Sequence, residues 1–218
     1  MKKLYAKDID PKKTLILVVD LQNDFCHDKS VLRRKRTNNK RCALHVYDFL
    51  KEARKYGVRV AFSQQIFDES KLSSQHKKYY SELLSGKKKQ FGAYKGHIKV
   101  PCCQKGSFGA KYFMYDPPKR ELFIKNNFDI WQNRKFEKFL EKENIETIIV
   151  TGVEIICCVL YAILGAEERG FKTVVPRDLV SGVDEGKKDQ DALLNIISKS
   201  YAPVVSSKEI LKIWKINK

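Results

Sequence analysis

The chain has 218 residues, of which 43% are hydrophobic, and this length suits one α/β domain with a complete core. No apolar run approaches the roughly 20 residues that a membrane span requires, and residues 1–8 lack the apolar stretch of a signal peptide. We therefore expect a single domain over residues 1–218, a cytoplasmic location and no membrane partner.

The formal net charge is +17, and basic residues cluster at 33–36 (RRKR) and 87–89 (KKK). Such clusters can bind nucleic acid without sequence preference. However, no helix-turn-helix, zinc finger or RNP-type aromatic strand accompanies them, and lysines are scattered along most predicted helices as on solvated faces. We therefore expect no nucleic-acid partner, and a basic nucleic-acid-associated protein is only a third hypothesis.

Four of the six cysteines form two adjacent pairs, Cys102-Cys103 and Cys157-Cys158, and no Cys-x-x-Cys motif occurs. This spacing is poor for a zinc site or a thioredoxin-type redox centre. Thiols in the cytoplasm are kept reduced. We therefore expect free thiols throughout the chain.

Apolar segments alternate with helical ones along the chain. Strands are predicted at residues 14–19, 58–63, 121–125, 147–150, 171–176 and 202–205, and helices at 42–56, 131–142, 159–170, 187–200 and from 207 onward. The first helix is predicted to turn Leu44, Tyr47, Leu50 and Ala53 inward, and residues 66–106 are irregular and basic with a short helix near 79–84. The repeated strand–helix–strand alternation predicts a three-layer α/β fold: a mostly parallel, six-stranded sheet with helices on both faces.

Three reactive side chains follow three of these strands: Asp20 after the first, Lys125 at the end of the third, and Cys158 after the fourth. Each alone has a simple explanation, as a turn or cap residue, a solvated lysine or a small buried hydrophobe. The carboxyl ends of parallel strands meet at one edge of the sheet, and ligands bind there. We therefore expect all three side chains at this edge. The carboxylate can take the thiol proton there, and the ammonium can stabilise a thiolate or an oxyanion. Cys158 also precedes a helix, whose N-terminal field favours the thiolate.

Four ordered motifs surround these residues: VVDLQNDFC at 18–26, GSFGA at 106–110, KNNF at 125–128 with Trp131 after it, and TGVEIICC at 151–158. Together they resemble the isochorismatase-like cysteine hydrolases, which include nicotinamidases, N-carbamoylsarcosine amidohydrolases and ureidoacrylate amidohydrolases. RD at 177–178 and SSKE at 206–209 also fit, so the resemblance covers roughly residues 13–212. It implies the isochorismatase-like hydrolase fold and assembly as a homo-oligomer.

The resemblance implies a catalytic triad in which Asp20 is the general base, Lys125 the electrostatic partner and Cys158 the nucleophile. It also implies a cis peptide bond between Val153 and Glu154, and an oxyanion hole formed by the backbone N–H groups of Glu154 and Cys158. The substrate pocket is expected to have Phe25, Phe128 and Trp131 as its walls, with Gln64 or Gln65 as a polar contact.

The residues just before the nucleophile depart from the family pattern. Ile155 stands where a threonine is common, and Glu154 and Ile156 are also unusual there. These departures motivate one alternative hypothesis, a catalytically idle family member that acts as a binding or scaffold protein.

The metal-binding Asp-x-His element of nicotinamidases has no counterpart here, since Asp68 has no histidine two places on. His76 and His97 are distant and flanked by lysines, so we expect no metal and no cofactor, which weighs against a nicotinamidase-type amidase. Isochorismatases proper cleave a vinyl ether without a cysteine nucleophile, so Cys158 favours hydrolysis of a C–N bond. The main hypothesis is a metal-independent cysteine amidohydrolase that acts on a small amide, carbamoyl or ureido compound through a thioester.

Overall fold

A parallel sheet lies at the centre of the protein, between two layers of helices. The computed structural model describes residues 4–32, 35–85 and 100–216, and this part of the chain contains seven strands. The strands are β1 (Thr14–Val19), β2 (Arg59–Gln65), β3 (Leu122–Lys125), β4 (Thr147–Val153), β5 (Lys172–Pro176), β6 (Val180–Ser181) and β7 (Val204–Val205). The helices are α1 (Asn23–Cys26), α2 (Thr37–Ala53), α3 (Ser74–Leu84), α4 (Arg134–Lys142), α5 (Leu160–Glu168), α6 (Lys187–Ser200) and α7 (Ser207–Ile216). The predicted three-layer α/β fold is confirmed.

The strand order β3-β2-β1-β4-β5-β7 places β1 and β4 side by side, and β6 pairs with the end of β4. The chain winds outward from β1 through β2 to β3, then returns to β4 and winds the other way. β1 and β4 therefore flank the point at which the winding direction reverses. In open parallel sheets, ligands bind beyond the carboxyl ends of the strands at this point. The residues that follow β1 and β4 are thus the first candidates for a functional site.

The residues of β1 explain why helices cover both faces of the sheet. All six of them are buried. Ile16 and Val18 join the apolar cluster that contains residues of α2 and α7, while Leu15, Leu17 and Val19 join the cluster that contains residues of α4, α5 and α6. Successive side chains of a strand point to opposite faces. A strand that is buried at every position, with apolar side chains on both faces, therefore needs cover on both sides.

Besides shifts of a few residues at several element ends, the structure departs from the predicted elements in three places. α2 begins at Thr37 rather than near residue 42, and its buried face includes Val46 and Phe49, so Leu44 is 46% exposed instead of inward. β6 has two residues and is too short for hydrophobic periodicity to predict. The segment 155–159 after β4 forms one π-helical turn that leads into α5.

The basic clusters noted in the sequence lie mostly outside the described residues. Arg33, Arg34 and residues 87–89 are outside them. Arg36 is within them and is 1% exposed, so it is a buried cation rather than part of a solvated face. In the described part of the chain, no helix combines the length and the apolar character needed to cross a bilayer.

Candidate active site

Asp20 is fully buried at the carboxyl end of β1. Its backbone is left-handed, with φ of 47°, a conformation that aspartate adopts more readily than most residues. Its Oδ1 accepts a hydrogen bond of 2.7 Å from Ser63 Oγ on the neighbouring strand β2. Its Oδ2 lies 2.7 Å from Lys125 Nζ, in an ion pair rather than an aligned hydrogen bond. One oxygen is thus fixed by a hydroxyl, and the other faces a cation.

Lys125 ends β3 and is 4% exposed. Besides Asp20, its Nζ contacts Gln65 Oε1 at 3.1 Å, the carbonyl oxygen of Asn127 at 3.0 Å and Cys158 Sγ at 3.3 Å. Removing an ammonium from water is costly unless charged and polar partners replace the water. The four contacts supply these partners, so the ammonium is held in one place beside both the carboxylate and the thiol.

Cys158 lies in the π-helical turn between β4 and α5 and is 5% exposed. The carbonyl oxygen of Glu154 closes this turn by accepting hydrogen bonds from the N–H groups of Cys157 at 3.0 Å and Val159 at 3.2 Å. The thiol therefore projects from a hydrogen-bonded turn rather than from a free loop.

Gly152 allows β4 to approach β1 closely just before this turn. Its φ is +105°, and a Cβ atom at this position would lie 2.1 Å from the carbonyl oxygen of Val19. Only glycine combines this backbone conformation with so close an approach. A side chain here would separate the ends of the two strands that carry Asp20 and Cys158.

The charges of the site have opposite effects on the Cys158 thiol. Burial raises its pKa well above the usual value, the Lys125 ammonium opposes this rise, and the Asp20 carboxylate adds to it. Burial alone would lower the pKa of Lys125, but the charges of Asp20 and Cys158 outweigh this effect and the pKa is raised. The lysine therefore stays protonated and the thiol keeps its proton near neutral pH. The sequence suggested a thiolate favoured by the helix N-terminus, but desolvation dominates at this depth.

The peptide bond between Val153 and Glu154 is cis. The Glu154 side chain is buried, and its carboxylate extends toward α2. Oε1 accepts a hydrogen bond of 2.7 Å from Asn39 Nδ2 and lies 3.4 Å from Arg36 Nη1, while Oε2 accepts a hydrogen bond of 3.0 Å from the N–H of Val183. The Glu154 carboxylate thus contacts Asn39, Arg36 and Val183.

Three of the residues predicted to form the pocket have other contacts as well. Phe25 lies on α1, is 8% exposed and belongs to the apolar cluster beneath α2. Gln64 is half-buried, and its Nε2 donates a hydrogen bond of 2.8 Å to the carbonyl oxygen of Ala110. Phe128 is half-buried, and its ring lies 6.0 Å from that of Tyr161 on α5. Of the two glutamines considered, Gln65 is the one that contacts Lys125.

Trp131 is 3% exposed and lies in the core between α4 and α5. Its indole N–H donates a hydrogen bond of 3.2 Å to the carbonyl oxygen of Ala162, and its ring stacks on Phe171. The guanidinium of Arg169 lies 4.6 Å from the ring centroid, and a Cβ atom on Gly165 would lie 2.1 Å from the ring. These are contacts of ordinary core packing, and the role of Trp131 as a pocket wall stays a prediction.

Three residues that contact the predicted site residues were not predicted from the sequence: Ser63, Arg36 and Asn39. Ser63 had a signal that could have been used, since it is a polar residue directly after the apolar run 60–62 of its strand. Arg36 stands in a run of basic residues and precedes a helix whose start was placed too late, so nothing local marks it as buried. Asn39 is separated from Glu154 by more than 100 residues in the chain.

The Isochorismatase domain family matches residues 14–209 of the chain. The chain therefore belongs to the isochorismatase family, a family of hydrolases. No match was found among curated protein sequences.

Solved structures of similar fold carry names from the same family. A cysteine hydrolase from Pseudomonas syringae pv. phaseolicola superposes with a TM-score of 0.79 at 16% identity, over 97% of this chain and 96% of that one. An isochorismatase-like hydrolase from Alkaliphilus metalliredigens gives 0.71 at 18% identity, over 93% and 99%. The pyrazinamidase of Pyrococcus horikoshii in complex with zinc gives 0.69 at 17% identity, over 89% and 99%. At these identities the likeness establishes the fold.

The described residues do not fit a metal site of this kind. They contain no group of three or more His, Cys, Asp or Glu side chains placed around one point. The Asp68 carboxylate accepts hydrogen bonds from Ser70 and Lys105, and His76 is hydrogen-bonded to Ser73. His97 lies outside the described residues. No step of the chemistry below therefore passes through a metal.

Proposed function

We propose that this protein is a cysteine amidohydrolase that needs no metal and cleaves the C–N bond of a small amide, carbamoyl or ureido compound. Membership of a hydrolase family and the likeness to a pyrazinamidase support hydrolysis at an amide. The observation that carries the proposal is the position of Lys125 Nζ, 2.7 Å from Asp20 Oδ2 and 3.3 Å from Cys158 Sγ. One ammonium thus joins a proton acceptor to a nucleophile at the switch point of the sheet.

The reaction begins with a proton transfer, because burial leaves the Cys158 thiol protonated. Asp20 takes this proton as sulfur attacks the carbonyl carbon and the S–C bond forms. The C–N bond then breaks, and the nitrogen leaves as ammonia or an amine with the proton that Asp20 returns. Water, deprotonated by Asp20, hydrolyses the thioester, which releases the acid and restores the thiol. Throughout the cycle, Lys125 compensates the negative charge that moves between Asp20 and Cys158.

Negative charge also develops on the substrate oxygen in each tetrahedral intermediate. The backbone N–H groups of Glu154 and Cys158, at the two ends of the turn, are the proposed donors to this oxygen. A donor of this kind stabilises the transition state of acyl transfer by about 2.7–4 kcal/mol. The cis peptide bond lies directly before the first donor.

The buried charges around the turn favour an uncharged substrate. Lys125 is paired with Asp20, and Arg36 is paired with Glu154. Within the described residues, each of these two buried cations therefore has a carboxylate partner. A substrate anion would bring a further negative charge without a buried cation of its own, which is costly. We therefore propose that the substrate carries a neutral amide or ureide group. We also propose that the protein is cytoplasmic and forms a homo-oligomer. Sedimentation can measure the mass of this oligomer.

A substrate screen tests the proposal. Small amides, carbamoyl compounds and ureides, with nicotinamide among them, are incubated with the protein, and release of ammonia is measured. Cys158→Ala should lower the rate at least about 10³-fold, and mass spectrometry of the quenched wild type should detect an acyl group on Cys158. Cys157→Ala removes the neighbouring thiol and should keep most of the activity. Full activity in Cys158→Ala would refute the proposal.

A catalytically idle binding or scaffold protein is the second candidate. Asp20, Lys125 and Cys158 are each at most 5% exposed, and Ile155, where the family often has threonine, is 1% exposed. Alkylation by iodoacetamide near neutral pH separates the two candidates. A working site should make Cys158 react faster than the other thiols of the chain, whereas an idle site should give Cys158 no such preference.

A further inference from the structure

Residue 154 is held by hydrogen bonds at its backbone carbonyl and at its side-chain carboxylate. Its backbone carbonyl closes the turn that carries Cys158, as described above. Its carboxylate is bound by Asn39, Arg36 and Val183, at 2.7, 3.4 and 3.0 Å. The N–H proposed to bind the oxyanion belongs to the same residue. The direction of this N–H therefore depends on how firmly the carbonyl and the carboxylate of Glu154 are held.

The residues that bind the carboxylate also bind the segment that follows β1. Asn39 Nδ2 donates a hydrogen bond of 2.8 Å to the carbonyl oxygen of Phe25, and Arg36 Nη1 lies 3.1 Å from the same oxygen. Phe25 is on α1, five residues after Asp20. Asn39 and Arg36 thus connect the chain segment of the proposed base to the chain segment of the proposed nucleophile.

The loop after β6 completes the enclosure of the carboxylate. A Cβ atom on Gly182 would lie 3.2 Å from Glu154 Oε2, so the loop backbone lies close against it. Next to Val183, the Asp184 carboxylate accepts hydrogen bonds from the N–H groups of Thr37 at 3.2 Å and Asn38 at 2.9 Å, at the start of α2. A carboxylate at a helix N-terminus is stabilising. The loop and α2 therefore hold each other on either side of Glu154.

We propose that Glu154 is a positioning residue, whose carboxylate, held by Asn39, Arg36 and Val183, directs the backbone N–H of residue 154 toward the oxyanion. This inference rests on the proposed function and adds a role for the Glu154 side chain. The cluster named here the Glu154 clamp consists of Glu154, Asn39, Arg36 and Val183. It acts on the transition state through the backbone, and its side chains do not take part in the proton transfers.

Two reactions of Cys158 separate this role from a general structural one. With p-nitrophenyl acetate, the S–C bond forms, the ester C–O bond breaks, p-nitrophenolate leaves with the bonding electrons, and the thiol proton goes to Asp20. This reaction passes through an oxyanion. With iodoacetamide, sulfur displaces iodide, and no oxyanion forms. A variant that disturbs only the oxyanion donors should therefore slow acylation and leave alkylation unchanged.

The test compares Glu154→Gln with the wild type in both reactions. Gln keeps the shape of the side chain but removes its charge and one of its two acceptors. We expect the acylation rate to fall roughly 10- to 100-fold, as for a small misplacement of catalytic groups, and the alkylation rate to stay within about twofold. Glu121→Gln is the matched control, because Glu121 is a buried carboxylate bound by Arg54 at 2.6 and 3.2 Å away from the clamp. It should change neither rate.

The outcomes distinguish the inference from the function on which it rests. Equal losses in acylation and alkylation would overturn the positioning role, because they would indicate a general disturbance of the site. Unchanged acylation in Glu154→Gln would overturn it as well. If the wild type shows no acylation that depends on Cys158, the proposed function fails, and the inference fails with it. If Glu154→Gln does not fold, Asn39→Ala, which leaves the Arg36–Glu154 pair intact, must show the same selective loss of acylation.

Discussion

Two buried ion pairs lie near the Cys158 turn, and they differ in what else they touch. The Lys125–Asp20 pair has side chains that are 2% and 0% exposed, and its ammonium contacts the thiol. The Arg36–Glu154 pair is equally buried, at 0% and 7%, but its other contacts are Asn39 and the backbones of Phe25 and Val183. The first pair can change the charge state of the Cys158 thiol, whereas the second fixes the chain segment that carries this thiol.

A buried charge therefore does not by itself mark a reactive centre. Desolvation makes both pairs costly, so burial alone does not show what either pair does. The thiol pKa responds to both charges of the first pair, in opposite directions. The Lys125–Asp20 pair should therefore control the reactivity of the thiol, and the Arg36–Glu154 pair should control the geometry of the turn. The predictions below test this division, from the largest expected loss of activity to the smallest effect.

The largest loss of activity is expected for Asp20→Asn, which keeps the shape of the side chain and removes the proton acceptor. Amidase activity should fall by up to about 10⁴-fold, the upper range for general acid–base catalysis. The Asp20 charge raises the pKa of Cys158, so its removal should shift the pH midpoint of Cys158 alkylation to lower values. Lower amidase activity together with a more readily ionised thiol is the expected signature, measured by ammonia release and by alkylation across pH. A midpoint that rises would contradict this assignment of Asp20.

Lys125→Met should shift the same midpoint in the opposite direction. The ammonium lowers the pKa of Cys158, so its removal leaves burial and Asp20 unopposed, and alkylation should require higher pH. Activity should fall about 10²- to 10³-fold, as when one electrostatic stabiliser is lost. An unpaired buried carboxylate should also lower the free energy of unfolding by about 3–5 kcal/mol, which urea denaturation measures. Normal reactivity at pH 7 in a folded variant would refute the proposed role of this pair.

The sequence was sufficient to predict the first pair because its position follows from strand order. Asp20, Lys125 and Cys158 each stand at the end of a locally recognisable strand, and parallel strands bring such ends to one edge. The short strand β6 and the early start of α2 were missed because each depends on tertiary contacts rather than on local periodicity.

The Arg36–Glu154 pair could not be predicted, because it too depends on tertiary contacts. Arg36 looks like one of several solvated basic residues, and its partner Glu154 is 118 positions away in the chain. The sign of a charge does not reveal whether it is paired and buried. The raised pKa of Cys158 was also missed, because the depth of burial, which outweighs the helix N-terminus, is a property of the assembled fold.

A double-mutant cycle on Arg36 and Glu154 tests whether the second pair serves geometry. Arg36→Met alone leaves a buried carboxylate without its cation and should lower the free energy of unfolding by about 3–5 kcal/mol. Adding Glu154→Gln removes that charge, and the double variant should regain most of the lost stability. Its ester acylation should nevertheless stay below the wild-type rate, because the clamp no longer holds residue 154. Full recovery of both stability and acylation would mean that the pair contributes to stability alone.

The smallest effect is expected at the Arg54–Glu121 pair, near the start of β3 and thus at the opposite end of that strand from Lys125. Its side chains are 37% and 11% exposed, so water already screens the guanidinium. Glu121→Gln should therefore lower the free energy of unfolding by only about 1 kcal/mol, in the range of partly exposed ion pairs, and the loss should shrink further in high salt. Activity and the pH midpoint of Cys158 alkylation should not change. A loss of stability as large as that of Arg36→Met would show that the difference in burial does not distinguish the Arg54–Glu121 pair from the Arg36–Glu154 pair. The two pairs would then differ only in their contacts with the Cys158 turn.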